Sequence, residues 1–544
     1  MSERPHVLLI LADDLGYSDL GCFGGEIHTP TLDRLAEKGV RLLDFHNTPR
    51  CSPSRASLLT GLHPHQAGVG ILTSDDSEDG GYHGNLDERA LTLAEVLGAA
   101  GYETAIRGKW HLSSDTSAPN GAWPTERGFE SFWGTLTGCG SYYNPGTLTR
   151  DTRNVEHEAQ DPTFFYTDRI ADEAISFLGR RDRDRPFFLY LPFTAPHWPL
   201  HARSETIARY RATYERGWDV LRDERLARQR ELGVVSESTV LSERDPSVPP
   251  WAQEPNKKWK AECMAVYAAQ VEEMDAAIGR VVEVIDGQGE LGNTIIVFLS
   301  DNGASDESLP MTPLERFRER SDIVRNETRD GQSVDIGNDP RVLPGGEDTY
   351  ESYGRAWANL SNTPFRRYKL WTYEGGISAP LLVHWPAGGL AEGAVVDEPY
   401  QLVHMLPTLL EATGVVIPET TRNGQSVRRP VGVSMLCSSG GGGTDRAAVV
   451  GTLRERGPPI RRLEVGARLR MALGTVQPRE RLFRDCRPGR TTPGDRRRAS
   501  RRMGGPRGAV RGHSVRDDPG DLSAAWARLL GRDRVITLSR LSPS

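Results

Sequence analysis

The chain has 544 residues, of which 37% are hydrophobic and 26% are charged. This length and balance are typical of a globular enzyme with a large domain and a smaller one, and they exclude a fibrous or wholly disordered chain. No apolar stretch approaches the roughly 20 residues that a membrane helix needs, and the apolar run at 7–11 is too short for a signal peptide. The sequence therefore predicts a cytoplasmic protein without a membrane anchor.

The cysteines are scattered along the chain and form no Cys-X-X-Cys pair. This spacing argues against a disulfide framework and against a structural zinc site. The six positions are Cys22, Cys51, Cys139, Cys263, Cys437 and Cys486.

The first predicted elements alternate between strand and helix. The apolar run at 7–11 reads as a buried strand and is followed directly by Asp13-Asp14. An amphipathic helix is predicted from Pro30 to the glycine at position 39, and a second over residues 91–100. This alternation favours a doubly wound α/β domain.

Two later apolar runs repeat the pattern of a buried strand that ends in polar residues. Residues 187–191 lead to His197, and residues 295–299 lead to Asp301-Asn302. Ligands of open α/β sheets bind beyond the carboxyl ends of the strands. The three runs together therefore predict a polar site at one edge of the sheet.

Two segments between these elements lack strand patterning. Residues 204–258 are highly charged, and we predict a helical insertion with a loop near residues 245–250. Residues 303–360 are polar and rich in Gly and Pro, which predicts a long ordered loop over the site. Both segments are candidates for shaping a substrate pocket.

The segment from Cys51 reads Cys51-Ser-Pro-Ser-Arg55-Ala-Ser-Leu-Leu-Thr60-Gly61. It resembles the signature of the sulfatase family, in which Cys-X-Pro-Ser-Arg precedes a helix that ends in Thr-Gly. A helix beginning at Pro53 or Ser54 would leave residue 51 beside the helix N-terminus, where backbone N–H groups favour an anion such as sulfate.

The resemblance implies that a formylglycine-generating enzyme oxidises Cys51 to an aldehyde, which hydrates to a geminal diol. One hydroxyl of the diol would attack sulfur and the alcohol would leave. The second hydroxyl would then expel sulfate as the aldehyde re-forms, which divides one difficult step into two. Arg55 would anchor residue 51 and the neighbouring metal ligands.

Asp13, Asp14, Asp301 and Asn302 resemble the metal-binding quartet of the same family, with residue 51 as a further ligand. Hard oxygen ligands without histidine suit calcium or magnesium rather than zinc. The resemblance favours one Ca²⁺ and leaves Mg²⁺ open.

Three further blocks resemble the family and carry its lysines and histidines. Gly108-Lys109-Trp110-His111 implies a sulfate-binding Lys109 and a His111 that assists proton transfer. Pro196-His197-Trp198-Pro199 implies that His197 protonates the leaving oxygen, a role suited to a group that titrates near neutrality. The block from 362 to 377 contains Lys369, in the position of a second sulfate-binding lysine.

The resemblance runs from about Pro5 to Val433 and is closest to bacterial arylsulfatases of the alkaline-phosphatase-like superfamily. It implies an α/β fold with a large mixed, mostly parallel sheet flanked by helices, over residues 1–436. It also implies a small-molecule aryl or alkyl sulfate ester as substrate. Two alternatives are a phosphonate monoester or phosphodiester hydrolase of the same superfamily, and an inactive or poorly folded remnant.

Residues 437–544 depart from the family, which ends in a small domain with a four-stranded antiparallel sheet. Residues 441–544 contain 24 Arg, no Lys and 10 Asp or Glu, a net charge of +14, so the preceding part carries −21. A basic arm for nucleic acid is one interpretation.

Translation out of frame fits this segment better, and we expect no nucleic-acid partner. A shift by one nucleotide makes the codons of 450–453 compatible with Trp-Glu-His, and those of 471–478 with Trp-X-Leu-Glu-Leu-Tyr-Asn. Such strings are typical of the family's small domain, so we expect that domain to be disrupted here.

Overall fold

The computed structural model describes residues 4–73 and 80–436, so the prediction for residues 437–544 lies outside the described residues. Fourteen strands lie in the described part: β1 (His6–Ala12), β2 (Val40–Leu42), β3 (Phe45–His46), β4 (Glu103–Arg107), β5 (Ser131–Thr135), β6 (Leu148–Arg150), β7 (Arg153–Asn154), β8 (Phe187–Pro192), β9 (Thr294–Ser300), β10 (Asp335–Ile336), β11 (Thr349–Tyr350), β12 (Leu381–His384), β13 (Ala394–Val396) and β14 (Tyr400–Gln401).

Eleven α-helices accompany them in the same residues: α1 (Pro30–Glu37), α2 (Cys51–Thr60), α3 (Leu93–Ala99), α4 (Tyr166–Arg180), α5 (Ser204–Tyr214), α6 (Trp218–Glu231), α7 (Lys257–Gly287), α8 (Leu314–Arg318), α9 (Gly354–Ser361), α10 (Glu374–Ile377) and α11 (Met405–Thr413). None of the helices in the described part is long and apolar enough to cross a membrane.

Ten strands form one mixed sheet in the order β13-β2-β12-β9-β1-β8-β4-β5-β6-β7. Its centre is parallel, because β9, β1, β8, β4 and β5 all run in one direction. Antiparallel pairs join β12 to both of its neighbours and add β6 and β7 at the far edge. The predicted class, a large mixed sheet flanked by helices, is confirmed.

The sheet is buried on both faces, as its continuous apolar strands predict. Side chains of a strand alternate between faces, and in β1 the residues Leu8 and Ile10 join the core that contains α4 and α7. Val7 and Leu9 face the opposite way and join the core that contains α2, α3 and α11. The result is a three-layer arrangement with a separate hydrophobic core on each side of the sheet.

The predicted helices form, with one difference at the functionally important one. A capping box between Thr92 and Glu95 begins α3, and Pro30 occupies the first turn of α1. Helix α2 begins at Cys51 rather than at Pro53 or Ser54, because Arg50 keeps an extended backbone and acts as its N-cap. Cys51 therefore lies in the first turn of the helix instead of just before it.

The two segments without strand patterning are ordered differently. The predicted insertion contains α5 and α6, followed by an irregular stretch that includes residues 245–250. The segment 303–360 is mainly irregular, as predicted, but it also contains α8, the short β10–β11 pair and α9.

An apolar groove lies on the face of the sheet that carries α11. Side chains of β2, β9, β12 and α11 line it, together with Met435 and Leu436 at the end of the described region.

Candidate active site

Seven of the ten predicted site residues follow four neighbouring parallel strands, whereas Cys51 and Arg55 lie on α2 and Lys369 lies in the irregular segment between α9 and α10. Strands β9, β1, β8 and β4 lie side by side in the sheet, so their carboxyl ends meet at one edge. Main-chain hydrogen bonds continue the pairing beyond the strands: Asp301 N donates to Ala12 O at 3.0 Å, and Lys109 N donates to Pro192 O at 2.8 Å. Most of the site is therefore built on the central parallel strands of the sheet.

A buried acidic cluster lies at the ends of β1 and β9. Asn302 Nδ2 donates to Asp14 Oδ1 at 2.6 Å, and the main-chain N of Asp14 donates to Asp301 Oδ1 at 3.3 Å. Burial raises the pKa of Asp14, and burial together with Asp13 raises the pKa of Asp301. Positive charge is needed to keep these carboxylates ionised.

The cluster fits a hard divalent cation. Two of its buried oxygens, Asp13 Oδ1 and Asn302 Oδ1, have no hydrogen-bond partner among the described residues, although buried polar atoms are nearly always paired. One potential ligand atom from each of Asp13, Asp14, Cys51 and His197 lies within 4.8 Å of the others. Carboxylate and amide oxygens are the ligands that calcium and magnesium prefer.

Arg55 connects the helix of Cys51 to the acidic cluster. Its guanidinium donates to Asp301 Oδ2 and to the carbonyl of Lys109, both at 3.0 Å, and it lies 3.5 Å from Asp13 Oδ2. The side chain is completely buried, so these contacts balance a charge that has no access to water.

Cys51 is 2% exposed at the N-terminal end of α2. Burial raises the pKa of its thiol well above the ordinary value, although Lys109 and Lys369 act in the opposite direction. A protonated thiol is a weak nucleophile. The environment therefore does not activate the residue as a thiol.

Two buried lysines contact the two adjacent aspartates of the cluster. Lys109 Nζ donates to Asp13 Oδ2, and Lys369 Nζ donates to Asp14 Oδ2 at 2.9 Å. Burial opposes the charge of Lys369, yet Asp14 and other neighbouring acidic groups raise its pKa well above the ordinary value. Lys369 is only 3% exposed, so it is not a surface lysine.

His197 joins this network through both ring nitrogens. Its Nδ1 lies 2.8 Å from the carbonyl of Trp198, and its Nε2 lies 3.1 Å from Lys369 Nζ and 3.4 Å from Asp14 Oδ2. A carbonyl can only accept, so Nδ1 carries the hydrogen and Nε2 accepts from Lys369. Burial and the two lysines lower the pKa of His197 well below its ordinary value.

His111 lies close to the same charges, with a constrained backbone. Its φ of 56° is in the left-handed region, which is uncommon for a residue with a side chain. Its Nδ1 is buried without a hydrogen-bond partner in the described part of the chain. Burial, Lys109 and Arg55 lower its pKa well below the ordinary value.

Glu307 is a member of the site that the sequence motifs did not indicate. Its Oε2 accepts from Trp198 Nε1 at 2.7 Å and from Ser305 at 3.1 Å, and it lies 3.6 Å from Lys369 Nζ. Burial opposes its ionisation, but Lys369 and His197 lower its pKa to about 2. The available signal was its place six residues after Asp301.

Two neighbouring residues have structural roles. His201 lies between the main chains of Tyr142 and Thr349, with no contact to the acidic cluster. Trp110 is fully buried and its indole N–H donates to the carbonyl of Ala122.

A sequence model of the family described as Sulfatase matches residues 5–415 of this chain. An uncharacterized sulfatase of Schizosaccharomyces pombe is 35% identical, with 79% of each chain covered. The arylsulfatase of Klebsiella aerogenes is also 35% identical, over 80% of this chain and 92% of its own. The crystal structure of Ps i-CgsB in complex with k-i-k-neocarrahexaose has a TM-score of 0.52 at 23% identity, over 78% of this chain and 75% of its own, and shows the same fold.

The chain belongs to the sulfatase family. It is accordingly a sulfuric ester hydrolase of the arylsulfatase kind, which acts on sulfate esters.

Proposed function

We propose that Cys51, oxidised to formylglycine by a formylglycine-generating enzyme, is the nucleophile that hydrolyses an aryl or simple alkyl sulfate ester. The observation that carries this proposal is the charged surroundings of a buried cysteine whose thiol stays protonated. Lys109 and Lys369 both act on this thiol, and His197 lies in the same cluster. Such a thiol would be a poor catalyst, whereas an oxygen nucleophile between two lysines suits an anionic substrate.

In the first step, a hydroxyl of hydrated residue 51 gives its proton to a carboxylate of the acidic cluster and its oxygen forms a bond to sulfur, while the bond from sulfur to the alcohol oxygen breaks. The proton for the departing oxygen comes from Lys369 Nζ, which donates to His197 Nε2. Nε2 takes this proton and passes it to the departing oxygen, and Lys369 is left neutral. In the second step, His111 takes the proton of the remaining hydroxyl. The bond between residue 51 and sulfate then breaks and the aldehyde re-forms.

The lysines bind and orient the sulfate. Lys109 pairs with Asp13 and Lys369 pairs with Asp14, so both ammonium groups are fixed before substrate arrives. Asp13, Asp14, Asp301, Asn302 and residue 51 would hold one Ca²⁺ or Mg²⁺. That cation would supply positive charge for the sulfate oxygens.

The domain boundary belongs to the same proposal. Residues 1–436 form the catalytic domain, and residues 437–544 replace the expected small domain through a shift of reading frame. All proposed catalytic residues precede position 370, so the shift leaves them intact. The cytoplasmic location stays a prediction.

The test is mass spectrometry of the Cys51 peptide from a host that contains the converting enzyme. Conversion lowers the mass by about 18 Da relative to cysteine. We expect the converted chain to release sulfate from para-nitrophenyl sulfate faster than it cleaves a para-nitrophenyl phosphonate ester, and Cys51→Ala to do neither. A fully active chain with unconverted Cys51 would contradict the assignment of formylglycine as the nucleophile. A preference for the phosphonate ester would favour the phosphonate monoester or phosphodiester hydrolase.

A further inference from the structure

The rim of the site near Lys369 carries arginine and aromatic side chains. We call residues 366–373 the rim segment. Lys369 is 3% exposed, whereas its neighbour Leu370 is 40% exposed, so the chain passes from the site to the surface within one residue. Arg50 is half-buried and is the direct chain neighbour of the buried Cys51. The alcohol half of a substrate bound at Cys51 therefore meets these residues.

The rim segment has a backbone that its side chains do not favour. Arg367 and Leu370 have φ values of 70° and 77°, in the left-handed region. Two main-chain bonds hold this shape: Leu370 N donates to Pro49 O at 2.9 Å, and Lys369 N donates to Ala304 O at 3.0 Å. Such conformations persist only where the surroundings impose them, and they cluster at functional sites. The bond to Pro49 also brings the rim segment beside Arg50.

Aromatic rings orient the two arginines of the segment. The guanidinium of Arg366 lies 4.4 Å from the ring centre of Tyr373, and that of Arg367 lies 4.4 Å from the ring centre of Trp371. Stacking fixes the plane of a guanidinium and leaves its N–H edges free to bind an oxyanion in bidentate fashion.

Two positive charges at this rim form no direct ion pair. Neither Arg50 nor Arg366 has a carboxylate within 4.0 Å in the part of the chain that the structure describes. At longer range, the charge of Arg50 helps to lower the pKa of Glu307. Arg367, in contrast, lies 3.6 Å from Asp245. The nearby Glu374 is engaged by His46 at 3.0 Å. An anion would therefore meet two cations that no carboxylate contacts directly.

We propose that Arg50 and Arg366 bind an oxyanion on the alcohol half, so that the enzyme prefers sulfate esters with a second negative charge. The second group would be a carboxylate or another sulfate, because both present oxygens in the geometry that a guanidinium fork matches. This inference rests on the proposed function of Cys51, since it concerns only the alcohol half that leaves when the sulfate ester is cleaved.

The test compares para-carboxyphenyl sulfate with para-carbamoylphenyl sulfate, which have similar shapes and differ by one charge. Rates of sulfate release are measured for the converted chain, for Arg50→Gln, Arg366→Gln and the double variant, and are divided by the formylglycine content of each preparation. Arg153→Gln is the matched control, because Arg153 is exposed on β7, the outermost strand of the sheet, away from the central strands that carry the site.

We expect the double variant to lose about tenfold in kcat/KM for the carboxylate, mainly through KM, and less than about twofold for the carboxamide. Arg50→Lys should keep part of the preference, and Arg153→Gln should keep all of it. An equal loss on both esters, or no loss on either, would overturn the subsite while leaving the proposed function standing. Release of sulfate from neither ester by the converted parent chain would overturn the proposed function and this inference with it.

Discussion

Replacement of Arg55 by methionine provides the most direct test of how the site is held together. The guanidinium is fully buried and contacts Asp13, Asp301 and the carbonyl of Lys109. Methionine keeps much of the volume but removes the charge and every donor. The variant therefore leaves two buried carboxylates and a carbonyl with less compensation than they have in the parent.

Removing one partner of a buried ion network costs about 3–5 kcal/mol. The described region has roughly 430 residues, for which an unfolding entropy near 2.1 cal/mol/K per residue converts this loss to a fall of about 3–6 °C in the melting temperature. A bound divalent cation would offset part of the unbalanced negative charge. The fall should therefore be larger in a chelator than in excess calcium.

Urea unfolding followed by tryptophan fluorescence, with and without calcium, measures this effect. Arg55→Lys should lie between the parent and Arg55→Met, because lysine keeps the charge but cannot reach both carboxylates and the carbonyl. Arg153→Met removes an exposed arginine and should change stability by less than about 0.5 kcal/mol. A loss below about 1 kcal/mol for Arg55→Met in chelator would show that the guanidinium does not compensate the charge of the cluster.

Three other results are expected. Chelation should abolish sulfate release by the converted chain, and calcium should restore it. Full turnover after exhaustive chelation would contradict the assignment of a cation to Asp13, Asp14, Asp301 and Asn302. Burial raises the pKa of Glu351 to about 8. Between pH 4.5 and 8 the folded state therefore holds a proton that the unfolded state has released. The free energy of unfolding should fall in this range by up to about 1.4 kcal/mol per pH unit as the pH rises. Glu351→Gln should flatten that slope in urea unfolding at several pH values, and an unchanged slope would contradict the assignment. Sequencing the encoding DNA should reveal an open frame shifted by one nucleotide beyond codon 437, whereas early stop codons in that frame would exclude the shift.

Much of the site was predictable because its residues lie in short motifs at the ends of apolar strands. Asp13-Asp14 and Asp301-Asn302 follow β1 and β9, which pair in parallel, so adjacent strand ends bring the four side chains together. Glu307 was not predictable in this way. It lies in an irregular segment, and only its contacts with Trp198 and Lys369 identify it.

Three central strands, the helix before Gly61 and the residues available for catalysis were predictable from the sequence, because these depend on local periodicity and on neighbours in the chain. The contacts between charged and proton-bearing groups became visible only in the folded chain. Lys369 meets Asp14 across 355 residues and His197 across 172. Such pairs depend on the order of the strands and on burial, which raises the cost of every uncompensated charge, and neither is encoded in a local pattern.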